Sequence, residues 1–94
     1  MADDPLTARR LSCRVNTVYL AEYTGYVSIF FTGGWMSRVE LVAGPENPPT
    51  EVISALEGEL NSYAGGVIRR GEYWMARAKR DKAGVQCVFT PFAA

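Results

Sequence analysis

Apolar and polar positions along the chain read first as strand, then as helix, then as strand again. Leu11–Tyr23 and Tyr26–Phe31 are rich in β-branched and aromatic residues, with the tight-turn dipeptide Thr24-Gly25 between them, which predicts a β-hairpin. A two-residue loop there pairs Tyr23 with Tyr26, so Val18, Leu20 and Glu22 share a face with Val27, Ile29 and Phe31. If Thr32-Gly33-Gly34 is a three-residue loop, Phe31 pairs with Trp35 and Ser37, Val39 and Leu41 join that inward face. The opposite face then carries Tyr19, Tyr23, Tyr26, Phe30 and Met36, with Arg38 and Glu40 at its margin. Such a surface is more aromatic than solvent-facing sheet usually is. A shift of one residue at the first turn exchanges the two faces.

The segment Ala43-Gly44-Pro45-Glu46-Asn47-Pro48-Pro49 cannot continue a central strand, because proline has no N–H to donate. From Pro49 or Thr50 onward Val52, Ile53, Leu56, Leu60 and Tyr63 or Ala64 recur at helical spacing. Asn47 or Thr50 can cap this helix, Glu51 suits its first turn, and Gly65-Gly66 ends it. Its apolar stripe faces the sheet, and Glu51, Glu57 and Glu59 face water. The last third predicts a second hairpin, in which Glu72–Arg80 and Val85–Phe92 flank Asp81-Lys82-Ala83-Gly84. Pairing Arg80 with Val85 sets Trp74, Ala76 and Ala78 on one side with Val85, Cys87 and Phe89. Tyr73, Met75, Arg77 and Lys79 fall on the other with Gln86, Val88 and Phe92. A helix through Tyr73–Lys82 is the competing reading, since Ala, Met, Arg and Lys favour helix.

The expected fold is therefore α+β: an antiparallel sheet of four to five strands with one helix packed on one face, in the order β-β-β-α-β-β. Residues 1–10, with Asp3, Asp4, Pro5, Arg9 and Arg10, offer little to bury and read as a flexible N-terminal arm, leaving 11–94 as a single domain. A composition 48% hydrophobic and 21% charged suits a small globular domain. The start lacks the basic flank and apolar run of a signal peptide, and no stretch approaches the roughly 18 apolar residues of a membrane span. A soluble, cytoplasmic protein is expected.

Charge changes the picture more than composition does. The chain is formally neutral, yet Arg69, Arg70, Arg77, Lys79, Arg80 and Lys82 crowd its last third around Tyr73 and Trp74, while most acidic residues precede Gly66. Asymmetry of this kind bears on partners more than on fold.

Candidate chemistry is sparse. Without histidine, neither a Ser-His-Asp nor a Cys-His arrangement can be assembled within the chain. Cys13 and Cys87 lack the neighbouring ligands that zinc requires. Each reads most simply as a small buried hydrophobe, a disulfide between them being the alternative. Glu57 and Glu59, two apart on the expected helix, point in different directions. Gly33-Gly34 and Gly65-Gly66 lack the spacing of a phosphate-binding loop. No catalytic residue, cofactor or metal is expected.

A lone helix covers one face of such a sheet and leaves the other to a partner, to a second copy of the chain in a homodimer, or to the terminal arm. The expected partner-binding residues are Tyr19, Tyr23, Tyr26, Phe30, Arg38, Arg69, Arg70, Tyr73, Arg77, Lys79, Arg80 and Lys82. Aromatic residues, Met and Arg are enriched at protein-binding hot spots, so a non-enzymatic protein-binding module is the first reading. A single-stranded nucleic-acid-binding domain, with rings stacking on bases and cations following phosphates, is the second. An isoelectric point near 6.2 weighs against it.

The run Arg38-Val39-Glu40-Leu41-Val42, leading through a Pro/Gly loop to Pro49-Thr50-Glu51-Val52, resembles a strand-to-helix junction in small phage-encoded anti-CRISPR proteins. It spans about a sixth of the chain. The resemblance implies a short, non-catalytic inhibitor that blocks a host defence complex by occupying its surface, and assigns no binding residue. The hairpin-then-helix order is also similar to a small domain at the end of some ribonucleotide reductases, whose cysteine pattern this chain lacks.

Overall fold

Period-two alternation of burial holds along residues 25–31, 73–78 and 86–90, and it is the partners of the strands that define the architecture. The structure is a computed structural model that describes residues 10–34, 38–57, 62–79 and 83–92. Within them lie β1 (Leu11–Cys13), β2 (Tyr19–Leu20), β3 (Gly25–Gly34), β4 (Val39–Gly44), β5 (Glu51–Leu56), β6 (Tyr63–Ile68), β7 (Tyr73–Ala78) and β8 (Ala83–Pro91). They form two antiparallel sheets, sheet A in the order β1-β8-β3-β6 and sheet B in the order β2-β7-β4-β5. No helix occurs among the described residues, so the expected α+β fold gives way to an all-β one.

The expected helix is β5 and β6. Val52-Ile53 is a β-branched pair that loses side-chain freedom in a helix and gains packing in a strand. The window also contains Gly58 and Asn61-Ser62, which are poor helix-interior residues. β5 pairs with β4 through Val39↔Leu56, Glu40↔Ala55 and Leu41↔Ser54, with a bulge before Val42↔Val52. The junction that resembled strand-to-helix is thus a strand-to-strand hairpin.

The expected hairpins are also corrected. Tyr23 precedes β3 outside any strand, and β2 and β3 belong to different sheets, as do β3 and β4, and β7 and β8. Trp35 and Arg80, the partners expected for Phe31 and Val85, lie outside the described residues, as do Met36, Ser37 and residues 1–9 of the arm. β4 and β5 are consecutive and paired; the other connections between described strands cross from one sheet to the other. Each sheet therefore covers the inner face of its companion, the role expected of a helix.

Side-chain parity nevertheless follows the sequence along most of the chain. Val27, Ile29, Phe31, Val39, Leu41, Trp74, Ala76, Ala78, Cys87 and Phe89 are all buried in one core. Trp74 of sheet B meets Phe89 of sheet A at 6.0 Å between ring centroids and stacks on Tyr19 at 5.0 Å. Each fully buried Leu, Ile or Val in this layer contributes about 1.5–3 kcal/mol. β2 breaks the expected parity: Tyr19 packs against the core and Leu20 is exposed.

Two corners are tied by the backbone. Ala21 N donates to Glu72 O at 2.9 Å and Gly71 N donates to Ala21 O at 2.8 Å. Gly71 adopts a φ of 92°, a conformation that carries no penalty only without a Cβ. On the β1–β2 connection Asn16 N donates to Ala76 O, and Ala78 N donates to Asn16 Oδ1 at 2.9 Å. This segment therefore extends the edge of β7.

Candidate functional site

Ladder register fixes what each outer face presents. On sheet A one cross-strand row runs Ser12, Val88, Ser28 and Gly65, the next Thr90, Tyr26 and Val67, and the third Gln86, Phe30 and Tyr63. None of these outward positions carries a charge. Phe30, Tyr63 and Val67 are 46%, 44% and 51% exposed, and the Phe30 and Tyr63 rings meet at 4.9 Å with a tilt of 51°.

The hydroxyls of Tyr26 and Tyr63 share a hydrogen bond above Gly65. A Cβ on Gly65 would lie 2.6 Å from the Tyr63 hydroxyl, 2.7 Å from that of Tyr26 and 2.7 Å from the Val27 carbonyl, so the bridge needs glycine there. The shared hydrogen bond pushes the Tyr63 phenol up to about 12, with burial and repulsion from Tyr26 adding to it.

Sheet B presents a different outer face. Glu40 accepts from Arg77 Nε at 3.1 Å and from Arg38 Nε at 3.2 Å, and Arg38 also pairs with Glu57. Hydrogen bonds from Arg77 first, and then from Arg38, hold the Glu40 carboxyl below the usual carboxylate range. Val42, on the same side, is fully buried in a row between Met75 and Val52.

A third region lies beside the short strands β1 and β2. A cleft of about 350 Å³ opens there, its lining including Leu11, Tyr19, Leu20, Tyr23, Trp74 and Phe89. At the adjoining corner Arg69 donates from its backbone N–H to Glu72 at 2.8 Å and from its guanidinium at 3.2 Å. Burial of Glu72 acts to raise its carboxyl, but these bonds outweigh it and hold the group below its usual value.

The expected binding residues are thereby dispersed. Tyr26 and Phe30 stand on the outer face of sheet A, whereas Tyr73 and Arg77 stand on that of sheet B, with Arg38 beside them. Tyr19 stacks inside on Trp74. Tyr23, Arg69 and Arg70 are exposed at the corners and Lys79 is exposed after β7. Arg80 and Lys82 lie outside the described residues. A single basic-aromatic surface is not formed by the described members of that set.

Sequence reasoning missed Tyr63 and Val67, which it placed in or after a helix. The alternation Tyr63, Gly65, Val67 against Ala64, Gly66, Ile68 was the available signal. It also left open the pairing of β1 with β8, which sets Cys13 opposite Cys87.

Among the described residues no group of three or more His, Cys, Asp or Glu is placed to hold a metal ion. No helix among them is long and apolar enough to cross a membrane. Comparison with protein-family models, with curated proteins and with solved structures returned no match.

Proposed function

We propose that the domain is a non-enzymatic protein-binding module that docks a partner protein on the outer face of sheet A. The observation that carries this reading is an uncharged lattice bearing three exposed apolar side chains, Phe30, Tyr63 and Val67. Interface cores are depleted in charge and enriched in aromatic residues. The tilted Phe30–Tyr63 pair, held from behind by the Tyr26 hydroxyl, forms a rigid anchor that loses little conformational freedom on binding.

A protein partner fits this face better than single-stranded nucleic acid. Stacking on bases works together with cations that follow the phosphates. Here the rings of sheet A are separated from Arg38 and Arg77, whose guanidinium groups are engaged by Glu40 on the opposite face. Occupying a partner's surface is also how small phage-encoded anti-CRISPR inhibitors act, although the junction at residues 38–52 that resembled theirs is a hairpin and not strand-to-helix. Under that narrower reading the partner is a host defence complex.

A photo-cross-linking residue at position 30 of the full chain tests the proposal in nuclease-treated lysate. The expected product is one discrete protein adduct, competed by excess unlabelled wild-type chain and not by a Val67→Glu chain. A nuclease-sensitive adduct would overturn the reading in favour of nucleic acid. An adduct of twice the chain mass would overturn it in favour of a second copy as the occupant.

A further inference from the structure

The β1–β8 ladder brings together two thiols that are 74 positions apart in the chain, with Cys13 the direct cross-strand partner of Cys87. Directly opposed residues in an antiparallel pair have Cα atoms about 4.5–5.5 Å apart. That separation lies inside the roughly 4.4–6.8 Å that a disulfide spans, so closure needs no large backbone movement. Both cysteines are free, and the Cys13 thiol donates a hydrogen bond to the Leu11 carbonyl at 3.3 Å.

Their surroundings differ in a way that assigns roles. Cys13 lines the cleft beside Leu11, whereas Cys87 is buried in the core. The neighbouring Cys87 side chain holds the Cys13 thiol below its ordinary value despite partial burial. The neighbouring Cys13 side chain and burial together push Cys87 well above its own. Cys13 is thus the reachable and more readily ionised thiol, the character of an attacking cysteine, and Cys87 is the resolving one.

We propose that Cys13 and Cys87 are a reversible dithiol–disulfide pair, oxidised through the cleft by a small-molecule disulfide, which staples the edge strand β1 to β8. Cys13 releases its proton to water and its thiolate attacks one sulfur of the reagent. A mixed disulfide forms and one reagent thiolate leaves, taking up a proton. Cys87 then loses its proton and attacks the Cys13 sulfur, expelling the second reagent thiolate, which is protonated in turn. Two protein thiols are oxidised and one small disulfide is reduced to two thiols.

The consequence falls on β1. It is three residues long and its ladder is to β8, so opening of this edge separates Leu11 and Cys13 from the cleft wall. A covalent bond at Cys13 prevents that opening and closes a long chain loop, which restricts the unfolded ensemble. This inference stands apart from docking on the outer face of sheet A.

The test uses the reduced full chain and hydroxyethyl disulfide at neutral pH. Expected are the loss of two hydrogens by intact mass and an intramolecular Cys13–Cys87 link in the non-reducing peptide map. The melting midpoint should rise by about 5 °C or more and fall back with dithiothreitol. Amide exchange at Leu11–Cys13 should slow. Cys87→Ala, which keeps the buried position apolar, should trap the mixed disulfide on Cys13, and Cys13→Ser should show none of these changes. A stable mixed disulfide on the wild-type chain, disulfide-linked dimers, or an internal link that leaves both midpoint and exchange unchanged would overturn the proposal.

Discussion

On the outer face of sheet A, Phe30, Tyr63 and Val67 project from a lattice without charge, while on the outer face of sheet B Glu40, Arg77, Arg38 and Glu57 join in one ion-paired chain. Both faces belong to four-stranded sheets that share one core, so the contrast does not come from strand geometry. It comes from which residues occupy the outward parity. On sheet B the charges satisfy one another and solvent, and Val42 is buried in the next row, between Met75 and a Val52 that is 42% exposed. On sheet A the large side chains satisfy one another only in part. A surface that leaves a pair of rings exposed without charge, while its companion carries a row of paired ions, is the one with more free energy left to gain from a partner.

The largest expected effect comes from removing the feature that lets the sheet A rings stand as they do. Gly65→Ala places a methyl 2.7 Å from the Val27 carbonyl as well as against both tyrosine hydroxyls. The carbonyl belongs to a central strand that cannot swing away, so the ladder itself must shift. A loss of about 1–3 kcal/mol is expected in chemical denaturation, with reduced partner cross-linking at position 30. An unchanged denaturation midpoint would show that the Tyr26–Tyr63 bridge does not depend on a bare backbone beneath it.

A smaller effect is expected from Tyr26→Phe, which removes one hydroxyl and little else from the same face. The Tyr63 phenol, raised to about 12 mainly by its bond to Tyr26, should return toward the ordinary value of about 10. Alkaline difference absorbance of the folded chain reads this directly. A raised folded value contributes stability that is present below the unfolded value and lost as pH climbs through the folded one. Wild type should therefore lose stability between about pH 10 and 12, and the variant should lack that component.

How much of this contrast was legible in the chain depends on what alternation can report. Period two assigns Val27, Ile29 and Phe31, or Trp74, Ala76 and Ala78, to one side whichever strand lies next to them, and the structure places both sets in the core. It does not report the neighbour. Thr24-Gly25 and Thr32-Gly33-Gly34 have the composition of hairpin loops, but a connection that crosses between sheets uses the same residue types. Treating them as hairpins put Tyr26, Tyr73 and Arg77 on one sheet, and the ladders put them on two. The helical spacing of Val52, Ile53, Leu56 and Leu60 does not register the β preference of Val52-Ile53 or the poor helix propensity of Gly58 and Asn61-Ser62. Read as the end of a helix, that segment hides Tyr63, one member of the exposed ring pair. Cys13 and Cys87 were visible as residues and not as a pair, because β1–β8 pairing joins the two ends of the chain.

The smallest expected effect tests sheet B. Glu40 has a lowered folded value, first through its bond from Arg77 and then through that from Arg38, so its stabilisation is present above the unfolded carboxylate value of about 4.3 and is lost as pH falls through the lower folded one. Exposed pairs contribute little individually, and a shared carboxylate couples two of them. Glu40→Gln should therefore flatten the acid limb of the stability profile below about pH 4.5, with the difference from wild type shrinking as salt is added. Position 30 cross-linking should be untouched, because Phe30 and Glu40 lie on opposite outer faces. If Glu40→Gln abolished cross-linking while the chain stayed folded, the partner would be contacting sheet B, and the contrast between the two faces would no longer locate the docking surface.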